Sequence, residues 1–96
     1  MAAAYLIAEI EVTDPRAYEE YRSRVPALVA AYGGKYLARG GALEVREGDW
    51  SPKRLVLLEF PSMEQARRFY DSPEYAPLLA LRKGSTRSKL IFLEGI

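Results

Sequence analysis

The stretch Leu55-Val56-Leu57-Leu58-Glu59-Phe60-Pro61-Ser62-Met63-Glu64-Gln65 decides the fold. Five of its first six residues are apolar, and they fall on both alternations: Leu55 and Leu57 on one face, Val56, Leu58 and Phe60 on the other. That is the pattern of a strand covered on both sides. Pro61 closes the strand, and Ser62 with Gln65 three positions on forms a capping box that opens a helix in which Ala66, Phe69 and Tyr70 face inward. A strand that feeds straight into an amphipathic helix points to an α+β or α/β domain.

The rest of the chain extends the pattern. Upstream, residues 4–12 alternate, with Leu6, Ala8, Ile10 and Val12 on one face and Tyr5, Ile7, Glu9 and Glu11 on the other, which predicts a first strand. Asp14-Pro15 supplies an N-cap acceptor and a preset φ for a first helix, whose Tyr18, Tyr21, Val25, Leu28, Val29 and Tyr32 form one apolar stripe. Pro26 inside it removes a backbone donor and predicts a kink or break near Val25, and Gly33-Gly34 provides the stop. Residues 35–47 read as a second strand with a bulge or bend at Gly40-Gly41; Gly48 to Pro52 reads as a hairpin loop leading into a third strand over 53–60. Downstream, Ser72-Pro73 starts a short helix with Tyr75, Leu78, Leu79 and Leu81, and residues 88–95 form the last strand.

The order β-α-β-β-α-β over a single domain of residues 1–96 is the ferredoxin-like arrangement, a four-stranded antiparallel sheet with the helices on one face. Such a sheet leaves its other face to water, yet the last strand repeats the apolar pattern, with Leu90 and Phe92 on one side and Ile91 and Leu93 on the other. Leaving several large side chains uncovered forfeits several kcal/mol at about 25 cal/mol per Å². The simplest cover is a second copy packed sheet against sheet, so a homodimer is expected.

Composition narrows function mostly by exclusion. With neither cysteine nor histidine, thiol nucleophiles, disulfides, imidazole metal ligands and the Ser-His-Asp triad are all out of reach, and no metal site is expected. Fourteen basic and thirteen acidic side chains leave a net charge of +1, too little to pull the chain toward nucleic acid, and the strand residues lack the exposed aromatics of an RNA-binding sheet. The N-terminus has no basic region ahead of its apolar stretch, which Glu9 and Glu11 interrupt, so neither a signal peptide nor a membrane span is expected and the cytoplasm is the default location. Absent asparagine, a single glutamine and ten arginines against four lysines fit a thermophile or a GC-rich genome.

Four segments, Tyr32 to Gly41, Glu47 to Arg54, Glu59 to Met63 and Tyr70 to Tyr75, together resemble the domain-of-unknown-function family 1330 over nearly the whole chain. That family is similar to the dimeric α+β barrel superfamily, whose relatives include cofactor-free monooxygenases, muconolactone isomerases and haem-dependent enzymes. The resemblance implies the dimer without bringing a reaction, and the histidine that ligates haem in those relatives is missing here, so no cofactor is expected.

Arg39, in a strand beside the glycine pair, is the leading ligand-binding candidate. Its planar fork suits a carboxylate, supplied either internally by Glu47 or Glu59 or by a small organic acid. Tyr18, Tyr21 and Tyr36, with Tyr70 and Tyr75, are expected to line the gap between helices and sheet, as core residues with bonded hydroxyls or as pocket walls. Trp50 reads as a dimer anchor or a pocket lid, the anchor being favoured. Tyr21, Glu59 and Tyr75 are the weak catalytic candidates, and Arg82 to Lys89 reads as a solvated loop. Function narrows to binding of a small organic acid or aromatic molecule, with or without a cofactor-independent reaction, or to a non-catalytic dimerisation module.

Overall fold

The computed structural model describes residues 2–96. Alternating apolar residues make β1 (Ala4–Val12), and Asp14 then caps α1 (Pro15–Ala31) by accepting the Ala17 amide at 3.3 Å. Gly33, at φ +80°, takes the left-handed turn that a side chain would resist, and the chain enters β2 (Lys35–Arg39). β3 (Leu55–Phe60) passes to α2 (Met63–Tyr70), where the Ser62 hydroxyl accepts the Gln65 amide at 3.1 Å. α3 (Ala76–Ser85) runs directly into β4 (Thr86–Glu94).

The strands form one antiparallel sheet in the order β2-β3-β1-β4, the ferredoxin-like arrangement. Ala4, Leu6, Ala8 and Ile10 of β1 and Val56, Leu58 and Phe60 of β3 turn to the helix side, where Tyr18, Val25 and Val29 of α1, Phe69 of α2 and Leu78 of α3 bury them. The other sheet face has no layer of its own, and Leu37, Ile91 and Leu93 stay half exposed there. No helix among the described residues is long and apolar enough to cross a membrane.

Three expectations need correction. α1 runs through Pro26 without a break. The burial of Tyr18, Val25 and Val29 stays in helical phase on either side of it, and that packing outweighs one lost backbone bond. The second strand stops at Arg39 instead of continuing to residue 47, and residues 41–53 form a largely exposed arm rather than a paired hairpin, so the third strand starts at Leu55. The extended residues of that arm have no strand beside them to pair with, and a β-strand without a ladder partner does not persist. Arg82 to Lys89 is no loop: it comprises the last turn of α3 and the first residues of β4.

Candidate functional site

Between α1 and the sheet lies a cavity whose walls come from every layer of the fold. α1 contributes Tyr18, Tyr21, Arg22 and Val25, which the helical repeat places on one face. β1 and β3 floor the cavity with Ala8, Ile10, Val56 and Leu58, and Phe69, Tyr75 and Arg82 close its far side. A bulge in β2 sets the remaining two. Tyr36 pairs with Leu58 and Ala38 with Leu57, so Leu37 is an extra residue in the ladder. Arg39 therefore falls opposite inward-facing Val56, and Tyr36 and Arg39 share the cavity side, which strict alternation would have denied them.

The polar groups within this cavity form a chain. The Tyr21 and Tyr75 hydroxyls lie 2.9 Å apart. Arg82 donates from Nε to the Tyr75 hydroxyl at 3.4 Å and from Nη1 to the Ser88 hydroxyl at 2.5 Å. Arg82 is only 3% exposed, and no carboxylate among the described residues pairs with it. At the mouth, the exposed Arg39 guanidinium lies 4.9 Å from the Tyr36 ring centroid and is likewise free of any carboxylate partner. Among the described residues, no acidic side chain lines the cavity.

Electrostatics follow from burial. Desolvation, reinforced by the neighbouring Tyr75 hydroxyl, pushes the Tyr21 phenol far above its ordinary value. Burial raises Tyr36 as well, against the pull of Arg39. Burial opposes the charge on Arg82, but the phenols of Tyr75, Tyr21 and Tyr70 more than offset it, and Arg82 holds its proton more firmly. At neutral pH the cavity is thus a set of neutral hydroxyl donors backed by fixed positive charge, which can stabilise an anion but offers no base to remove a proton. Its free space is about 30 Å³, room for one or two waters.

The structure brings Tyr18, Tyr21, Tyr36, Arg39 and Tyr75 together and leaves four expected residues outside. Tyr70 packs on Phe92 and Tyr75, within the aromatic core. Glu59 lies on the opposite sheet face in an ion pair with Lys35 at 3.2 Å, so it neither serves as a base in this cavity nor locks Arg39. Trp50 is exposed on that same side, its indole donating to Glu9 at 3.2 Å, and cannot act as a lid. Glu47 is exposed on the arm and pairs with nothing near Arg39. Arg82 is the site residue that the sequence reading missed. A signal for it existed: it follows Leu78 by four and Tyr75 by seven, the spacing of one helix face.

The sequence pattern described as Domain of unknown function (DUF1330) matches residues 3–96. No curated protein matches the chain. Among solved structures, a protein of unknown function from Rhodopseudomonas palustris aligns with a TM-score of 0.78 at 17% identity, covering 99% of this chain and 83% of that one. SnoaB, a cofactor-independent oxygenase from Streptomyces nogalater, aligns at 0.66 and 16% identity, covering 97% and 92%. A dimeric ferredoxin-like protein of unknown function from Thermobifida fusca aligns at 0.68 and 19% identity, covering 97% and 91%. At these identities the likeness is one of fold.

Proposed function

This chain belongs to the DUF1330 family, and from that premise we propose that it is a homodimeric protein that binds a compact organic anion between its helices and its sheet. A small carboxylate, or the anionic form of a small aromatic molecule, is the class of ligand that suits the donors. The observation that carries the reading is Arg82, a buried guanidinium for which the described residues supply no counter-ion and no acid in the cavity wall. An unpaired buried charge costs several kcal/mol, and an incoming anion is what would relieve it. Arg39 at the mouth supplies the bidentate fork, and its exposed side chain can move aside to widen the 30 Å³ of free space.

A reaction on such a site would be cofactor-independent, in the manner named for SnoaB. Tyr21, hydrogen-bonded to Tyr75, would donate to an oxygen as negative charge grows on it, with Arg82 fixing Tyr75 from behind. The competing reading, a dimerisation module without a ligand, draws on the half-exposed apolar sheet face. Thermal shift separates the two. Acetate, butyrate and benzoate should raise the melting temperature of the protein in a saturable way, and Arg39→Gln and Arg82→Gln should each abolish the rise. If none of the three acids shifts the wild type beyond what sodium chloride does at equal ionic strength, the anion site is refuted.

A further inference from the structure

A third guanidinium in this fold also has no counter-ion among the described residues, and it lies outside the walls of the cavity. Arg54 immediately precedes β3, and its carbonyl accepts the Ile10 amide at 2.8 Å. Its guanidinium carbon stands 5.7 Å from the centroid of Tyr18, a cavity residue. Nε and Nη2 are both fully buried and have no hydrogen-bond partner. No carboxylate among the described residues pairs with this guanidinium.

These two nitrogens are not an arbitrary pair. Nε and Nη2 form one edge of the guanidinium, with their N–H bonds nearly parallel, and that edge grips both oxygens of a carboxylate or phosphate. The backbone makes space for it. Gly40, at φ +69°, has no side chain, and a methyl there would overlap Nη1 and Cζ of Arg54. Gly40 directly follows Arg39, so the backbone that carries Arg39 runs against the Arg54 guanidinium. Two buried donors left unbonded each forfeit a hydrogen bond.

We propose that the Nε–Nη2 edge of Arg54 is a second oxyanion subsite, so that the ligand of this protein is a compact dianion with one anionic group toward Arg39 and Arg82 and the other on Arg54. The proposal rests on the cavity reading for its first group and on Arg54 alone for its second.

Glutarate and butyrate, which share a carbon skeleton length to within one atom and differ by one carboxylate, serve as probes. Their affinities are measured by calorimetry, and the Arg54 Nε–H resonance is followed in nitrogen-15 spectra, assigned by its loss in Arg54→Gln. Glutarate should bind about tenfold or more tighter than butyrate, as expected for a charge-assisted bidentate contact. It should also move the Arg54 resonance saturably, and in Arg54→Gln the ratio of the two affinities should fall to near one. Arg54→Lys, which keeps the charge without the fork, should give most of that fall and stands in if the glutamine variant does not fold. Equal affinities with an unmoved Arg54 resonance would overturn the subsite while leaving the monoanion site intact. Glutarate that shifts Arg54 while butyrate fails to bind would uphold the subsite and refute the cavity reading instead. An Arg54 resonance already shifted and anion-insensitive in the free protein would assign the edge to a carboxylate of another copy, which also overturns it.

Discussion

At the residue scale, the chemistry of the cavity depends on phenols that stay protonated. Burial raises Tyr21 and, against the pull of Arg39, Tyr36 as well, so each binds its proton more tightly in the folded chain than in the unfolded one. A raised phenol contributes stability that is complete below the unfolded value of about 10 and drains away as pH climbs from there toward the folded value. Unfolding free energy should therefore fall above about pH 10, by up to about 1.4 kcal/mol per pH unit for each such proton. Tyr21→Phe removes one of these protons, so urea titrations at pH 9, 10 and 11 should show a shallower fall in the variant; parallel curves for both proteins would mean that Tyr21 titrates no differently when folded. The clustering of Tyr18, Tyr21 and Tyr75 was legible because helical spacing and flanking caps reveal which side of an element faces inward. Arg82 was hidden by its company. Followed by Lys83, Gly84, Ser85 and Thr86, it looks like the start of a polar loop, and the Tyr75 and Ser88 hydroxyls that accept from it come from other turns and elements of the fold.

At the element scale, β2 shows how one extra residue can create a site. Leu37 has no partner across the ladder, and by occupying the bulge it returns Arg39 to the same side as Tyr36. Deleting a residue from a strand ordinarily sends everything after it to the opposite face. Deleting Leu37 should do the reverse: Ala38 would follow Tyr36 opposite Leu57, Arg39 would stay opposite Val56, and the cavity would keep its cation. The deletion variant is thus expected to fold and to retain the melting-temperature response to butyrate, whereas a variant that folds but ignores butyrate would show that the bulge itself shapes the mouth. Sequence could place the strands with strong alternation, since burial on one face leaves a period of two. It could not place the bulge, because a bulge is defined by the partner strand, and Gly40-Gly41 drew attention to the wrong position. The arm over 41–53 was misread for the same reason: extended residues become a strand only where another edge accepts their hydrogen bonds.

At the scale of the whole molecule, the shape poses the remaining question. The Cα atoms span 34 × 33 × 16 Å, a slab of one sheet and one helical layer, and among the described residues only the arm, through Trp50, reaches over the outer sheet face. Ile91 is 58% and Leu93 53% exposed there, beside Leu37 at 50%. Large apolar side chains gathered on one flat face mark an interface more often than they mark a surface adapted to water. A second copy seated on that face would cover them, and the related fold from Thermobifida fusca is described as dimeric. Because these side chains are already half exposed in a single chain, a charge at one of them should cost the isolated fold little while opposing association strongly. Sedimentation of the wild type at micromolar concentration should give a particle of twice 10.8 kDa, and Ile91→Glu should give one of 10.8 kDa whose far-ultraviolet circular dichroism is unchanged. A wild type that sediments at 10.8 kDa would exclude the pairing, and an Ile91→Glu variant that stays dimeric would move the interface off this face, toward the arm that carries Leu43, Val45 and Trp50.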